Sequence, residues 1–257
     1  MLEISLNPGV PGARRLRLRT LEGRDELNLD PHGRTSFCDF VDALAVKAAE
    51  GYLLPGRARE LPVSDLETIA AVLHGACYGE RVESLLKCDR CGRGFDVSFD
   101  LGAVLRGLGG QRDTSISGPD ENGVFTLRDG RQFRLPTGAD ELAVADLGLA
   151  DATRELRSRC VIHGDFEADP DVLDAAMEAC GPLVSQDLSA SCPHCRANHT
   201  TRFQVRPFLL HALASERRFL NYEIHWLARS YGWSRTEILG MTRDDRRLHA
   251  KLVLPAD

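Results

Sequence analysis

The sequence predicts an α+β fold organised around two strand–C-x-x-C–strand units. Three observations lead there. Segments Arg81–Lys87 and Phe95–Leu101 alternate polar and apolar residues with period two, the pattern of half-buried strands. Cys88 and Cys91 lie between them, and a second pair, Cys192 and Cys195, lies between strand-like Leu183–Ser191 and Thr200–Val205. Residues 206–257 change to helical spacing: Leu213, Leu220, Ile224, Leu227 and Tyr231 recur at steps of seven, four, three and four. The chain therefore divides into an N-terminal part, 1–80, with strands and two helices; a first knuckle, 81–101; a mixed insertion, 102–183; a second knuckle, 184–205; and a helical C-terminal tail, 206–257.

Each element has a local reason. Glu3–Leu6 and the alternating Arg15–Arg19 read as strands around the turn Asn7–Gly12. Glu22–Asp25 reads as a further turn, with Glu26–Leu29 pairing back. Asp30-Pro31-His32-Gly33 breaks the pattern. Ser36–Glu50 predicts a helix with Phe37, Phe40, Val41, Leu44 and Val46–Ala48 on or near one face and Gly51 as its stop. Ser64-Asp65-Leu66-Glu67 has the form of a capping box opening a helix to about Tyr78, and Gly79 ends it. After the first knuckle come a short helix to Leu108 and a Gly- and Ser-rich loop, Gly109–Gly118. Val124–Leu127 and Gln132–Leu135 form a hairpin across Arg128-Asp129-Gly130-Arg131. Helices follow near 139–147, 150–161 and 170–179. In the tail, one helix runs to Tyr231, Ser234–Glu237 is a second capping box, and Thr242 starts a last helix that Pro255 closes.

Composition limits the function classes. With 257 residues, 43% hydrophobic and 27% charged, the chain can bury a core without covalent help. No apolar run reaches the roughly 18 residues of a membrane span, and residues 1–8 carry neither a basic n-region nor a long apolar stretch. The expectation is a cytoplasmic protein. A net charge of −6 argues against a global nucleic-acid binder, although residues 206–257 carry nine Arg and Lys against six Asp and Glu.

Eight cysteines without an export signal point to metal or thiol chemistry before disulfides. Cys38, Cys77, Cys160 and Cys180 stand alone in apolar or helical patterns and read as small buried hydrophobes. The paired cysteines differ. Two cysteines separated by two residues on a tight turn offer both sulfurs to one zinc ion at about 2.3 Å. Gly92 gives the first turn the small residue it needs, whereas Arg196 and Ala197 make the second less ideal. Two facing knuckles would supply Cys88, Cys91, Cys192 and Cys195 as one closed tetrahedral site, a zinc-ribbon-like unit. The first cysteines of the pairs are 104 positions apart, far more than in ordinary ribbons, so 102–183 must be an insertion.

Three rivals stand beside this. Two separate sites would need further ligands, with His194 and His199 as candidates. A dithiol oxidoreductase matches Cys-Pro-His-Cys, but that chemistry places the first cysteine at a helix N-terminus, and Arg196–Val205 reads as turn and strand. A zinc-ribbon nucleic-acid-binding or regulatory protein is the third. No G-x-S-x-G, Walker loop or H-E-x-x-H occurs. His211, His225 and His249 fall on helical faces, so the reading is a non-enzyme without a small-molecule substrate.

Several stretches together resemble a known group. They are Tyr78-Gly79-Glu80-Arg81-Val82-Glu83 leading into Cys88-Asp89-Arg90-Cys91; Phe133-Arg134-Leu135-Pro136-Thr137-Gly138-Ala139-Asp140; Cys192-Pro193-His194-Cys195; and, most distinctively, Glu223–Ala228 with Tyr231-Gly232-Trp233-Ser234-Arg235-Thr236-Glu237-Ile238-Leu239. Over about residues 60–250 the chain resembles zinc-knuckle, baseplate-associated proteins of phage-tail-like contractile injection systems, grouped with T-even-phage-type baseplate hub assembly chaperones. The T-even-phage proteins themselves are similar only around the first knuckle. The resemblance implies no catalysis and implies baseplate or hub proteins, such as hub, spike or wedge subunits, as partners. Trp226, Tyr231 and Trp233 are then candidate partner contacts, since aromatics often dominate interfaces; burial in the chain's own core is the competing reading.

Overall fold

The structure, a computed structural model, describes residues 1–30, 36–107 and 116–253. Strands β1 (Leu2–Val10) and β2 (Ala13–Leu18) pair antiparallel, and the arginines of β2 face outward while Leu16 and Leu18 are fully buried. The predicted turn and strand over Glu22–Leu29 are instead a helix, α1 (Gly23–Asn28). The Asp25 carboxylate accepts from the Glu22 N–H at 2.9 Å, and Glu26 must face inward to meet Arg246 of the tail at 2.8 Å. The Pro31–Gly33 part of the predicted break lies outside the described residues.

Helix α2 (Phe37–Leu44) ends well before Gly51. The chain leaves it at Ala45 because the edge of β2 offers backbone partners: Arg19 N–H donates to Leu44 O at 2.9 Å and Val46 N–H to Arg17 O at 3.0 Å. Gly51 belongs to β3 (Gly51–Tyr52), which runs parallel to β2. A 3-10 turn, Ala58–Glu60, precedes α3 (Val63–Tyr78).

The expected capping box at Ser64–Glu67 does not form. The helix already begins at Val63, after Pro62, and its first N–H donates to Pro136 O at 2.9 Å. The polar side chains of that tetrapeptide are buried, and two of them serve distant partners. Asp65 accepts from the backbone N–H groups of Asn7 (2.6 Å) and Gly9 (2.8 Å), which fixes β1 on the helix. Glu67 accepts from Arg206 Nε at 2.7 Å.

Strands β4 (Arg81–Lys87) and β5 (Gly94–Asp100) form an antiparallel hairpin, followed by α4 (Leu101–Gly107). The predicted helix end at Leu108 and most of the predicted loop, 109–115, lie outside the described residues. The insertion holds a four-stranded sheet of β6 (Ile116–Ser117), β7 (Val124–Leu127), β8 (Gln132–Arg134) and β9 (Val161–His163). Its helices are α5 (Gly138–Val144), α6 (Leu149–Cys160) and α7 (Pro170–Cys180). Phe125, Phe133, Leu135, Leu173 and Ala176 give it a separate small core. It does not hang free. Gly138 N–H donates to Leu61 O at 3.1 Å, and a Cβ at Gly138 would come within 2.6 Å of Cys38 Sγ, so only glycine allows this approach.

Strands β10 (Gln186–Ser191) and β11 (Asn198–Phe203) form the second hairpin. The single long tail helix expected up to Tyr231 is two helices, α8 (Val205–Ser215) and α9 (Arg217–Tyr231), separated at Glu216. There the carboxylate takes Tyr78 Oη, Arg243 and Arg247. The Ser234–Glu237 capping box forms as expected at the start of α10 (Arg235–Leu239). Helix α11 (Arg243–Val253) follows; Pro255 lies outside the described residues.

The main core joins β1, β2, α2 and α3 to α8 through Leu16, Leu44, Leu66, Ile69, Leu73, Leu209 and Leu213, all fully buried. The chain's two ends are also joined by charge. Buried Glu26 faces Arg243 and Arg246, and Arg246 also reaches Glu223 at 2.7 Å. Among the described residues, no helix is long and apolar enough to cross a membrane.

Candidate metal centre

The two hairpins carry their cysteines in loops of one geometry. In loop 88–93, Cys88 N–H donates to Arg93 O at 2.8 Å and Gly92 N–H donates to Cys88 O at 2.8 Å. In loop 192–197, Cys192 N–H donates to Ala197 O at 2.9 Å and Arg196 N–H donates to Cys192 O at 2.9 Å. The residue four after the first cysteine is left-handed in both: Gly92 at φ 71° and Arg196 at φ 57°. Regular pairing resumes at once on either side, Lys87 opposite Gly94 and Ser191 opposite Asn198.

Alternation along the strands turns one face of each hairpin toward the other. At the end near α8, Phe99 meets Phe203 edge-on at 4.8 Å, and Phe203 packs on Phe208. At the far end, Cys88, Phe95 and Cys192 are buried together, with Leu86, Val97, Ala190 and Ala197 around them. Between these ends lies a largely apolar groove of about 310 Å³, lined by Leu86, Val97, Leu188 and Phe208 among others.

This brings Cys88, Cys91, Cys192 and Cys195 together: their four Sγ atoms all lie within 4.8 Å of one another. The close contacts cross between hairpins, Cys88 to Cys195 at 3.5 Å and Cys91 to Cys192 at 3.8 Å. A tetrahedron with metal–sulfur bonds of about 2.3 Å has sulfur–sulfur edges of about 3.8 Å. The donor set therefore fits one tetrahedral metal ion. The first cysteine of each pair is buried, Cys195 is half-buried and Cys91 is exposed.

Local chemistry favours thiolate here. Burial opposes ionisation of Cys88, but the backbone N–H of Cys91, the Cys195 thiol, the N–H of Arg90 and the Cys91 thiol all stabilise its anion, holding it at about 6. The Ala197 N–H favours ionisation of Cys195, yet burial and the neighbouring thiols push it up to about 11. The lone cysteines contrast: burial pushes Cys38 and Cys77 up to about 11 and Cys160 to about 12. Cys38 and Cys160 are buried, as expected of small hydrophobes, while Cys77 and Cys180 are only half-buried.

Of the two histidines considered as extra ligands, His199 contacts the cluster and His194 meets Arg93. His199 Nε2 lies 3.1 Å from Cys88 Sγ, on the opposite hairpin, and its ring packs near Phe95. His194 Nδ1 lies 3.4 Å from an Arg93 guanidinium nitrogen. Among the described residues the pairs offer one donor set rather than two. The His199–Cys88 contact is not read from the sequence, although alternation along β11 places His199 on the same face as Thr201 and Phe203.

The three aromatic residues singled out in the tail separate. Tyr231 and Trp233 stack on each other at 4.5 Å, and His249 of α11 meets both rings edge-on. They close the contact between α9 and α11. Trp226 lies elsewhere on α9, half-buried, with Arg229 over its ring at 5.5 Å. Comparison of the chain with family models, curated proteins and solved structures finds no match.

Proposed function

We propose that this chain is a non-catalytic structural or assembly protein, chaperone-like, of the baseplate of a phage-tail-like contractile particle, and that one structural zinc ion staples its two hairpins. The observation that carries the reading is the single four-cysteine cluster. Cys88, Cys91, Cys192 and Cys195 would hold the ion. Four thiolates leave no open position for a reacting water, which suits a structural zinc. Each C-x-x-C sits in a strand-to-strand turn rather than at a helix N-terminus, which supports inert thiolates over dithiol exchange.

The physical benefit is topological. A bound zinc would fasten two hairpins that are far apart in sequence, at the end where neither is held by α8. It would leave the rest of the chain to present its surfaces to partners. The biological setting rests on the resemblance at Tyr78–Cys91, Phe133–Asp140, Cys192–Cys195 and Glu223–Leu239. Deleting the gene from a host that makes such particles tests it. Loss of assembled baseplates in electron micrographs is expected, and normal particles from the deletion strain would refute the reading.

A further inference from the structure

Most of the molecule's partly buried arginines meet carboxylates: Arg19 with Asp25, Arg134 with Asp140, Arg157 with Asp174, Arg206 with Glu67 and Glu141. The exposed arginines of helix α9 are placed differently. Both nearby acids turn inward, Glu223 to Arg246 and Glu216 to Arg243 and Arg247. Arg218 and Arg229 have no carboxylate partner among the described residues. Each instead covers an aromatic ring, Arg218 at 4.6 Å from the centre of Phe219 and Arg229 at 5.5 Å from Trp226.

These residues share one side of the helix. Leu220, Glu223 and Leu227 face the interior. Positions 218, 219, 222, 225, 226 and 229 recur at helical steps on the other side. Phe219 is 49% and Tyr222 64% exposed, large areas for aromatic side chains of a folded chain. The result is an apolar strip with an uncompensated cation at each end, about three turns apart.

We propose that this face of α9 binds an acidic amphipathic segment of a partner protein. Apolar side chains of the segment would lie on Phe219, Tyr222 and Trp226, and its flanking carboxylates would meet Arg218 and Arg229. Charge complementarity selects this occupant: the strip has two free guanidiniums and no free acid. Single-stranded nucleic acid suits it less, because two cations about three turns apart do not make the continuous basic groove that tracks a phosphate backbone. The proposal deepens the assembly reading and rests on it for the identity of the partner alone.

The test uses the full-length zinc-loaded protein and a fluorescein-labelled peptide of about 18 residues with leucines on one helical face and glutamates beside them. Its anisotropy reports binding, with a lysine-for-glutamate peptide and an oligothymidylate as comparisons. The expected result is binding of the glutamate peptide alone, weakened by salt, and weakened about ten-fold or more in the Arg218→Glu/Arg229→Glu double variant with unchanged melting temperature. Equal binding by wild type and the double variant, or preference for oligothymidylate, would overturn it. Particle assembly separates the two readings. If deletion abolishes particles while the double variant restores them fully, the α9 proposal fails and the assembly reading stands. If the peptide result holds and deletion is harmless, the reverse follows.

Discussion

Loop 88–93 and loop 192–197 close with the same two backbone hydrogen bonds, yet one places glycine and the other arginine in the left-handed position. A non-glycine residue there costs on the order of 1–2 kcal/mol. The difference shows that the cysteine-presenting turn is set by the geometry that aims N–H groups at sulfur, and that glycine only eases it. The second loop tolerates Arg196 because its hairpin, the facing hairpin and the cysteine cluster over-determine the turn. Two loops of unequal local strain thus complete one centre.

The largest expected effect would break the comparison at its root. If the loops serve one zinc, Cys88→Ser and Cys192→Ser must be equally damaging despite their different turns. Each should lower stability by more than about 4 kcal/mol, read as the urea midpoint of the purified protein. The loss should stay below the roughly 10–16 kcal/mol seen for isolated zinc peptides, because the α3–α8 core forms without metal. A marked difference between the two variants would show that the loops act separately.

The opposite end of the molecule sharpens the point. Glu26 and Arg246 are about as buried as Cys88, but they are joined by charge. Glu26→Ala removes one carboxylate from Arg243 and Arg246, which keep Glu216 and Glu223, and a loss of about 1–3 kcal/mol is expected. Zinc content should be unchanged, which elemental analysis of the variant checks. Loss of zinc along with stability would mean that the hairpins and the ionic network unfold as one unit.

A third effect belongs to the insertion. Burial opposes the Asp140 charge, but Arg134 and Thr137 more than offset it and hold the carboxyl down at about 2, against 3.8 unperturbed. Because the folded value is the lower one, this stabilisation is complete above about pH 4 and is lost as pH falls toward 2. It amounts to about 2 kcal/mol. Asp140→Asn should remove that part of the acid dependence in urea melts while leaving the four-cysteine centre untouched.

The smallest effects test the loops themselves. Gly92→Ala meets open space, so only backbone strain acts, and a cost of about 1 kcal/mol is expected. Arg196→Gly relieves strain but frees the unfolded chain, so a gain below about 1 kcal/mol is expected. Thermal melts of both variants with zinc bound would show opposite signs. The same sign for both would end the strain account.

What the sequence reveals follows from how local each signal is. The hairpins and most insertion helices are legible because alternation and capping act within a few residues. The joining of the two C-x-x-C pairs is legible because thiolate chemistry needs four donors. By contrast, α1 is hidden because Glu26 is fixed by Arg246, at the far end of the chain. The end of α2 is hidden because it answers to the edge of β2. Ser64–Glu67 resembles a cap, yet Pro136 supplies the acceptor and Asp65 and Glu67 serve distant partners. Likewise the tail aromatics look alike in sequence, but His249 gathers Tyr231 and Trp233 and leaves Trp226 to the outer face.

The proposed centre is one zinc ion held by two hairpins. Native mass spectrometry of the purified chain, compared with Cys88→Ser and Cys192→Ser, tests it most directly. One zinc per chain in the wild type and none in either variant is expected. Two zincs lost independently, or no metal with freely reactive thiols, would contradict it.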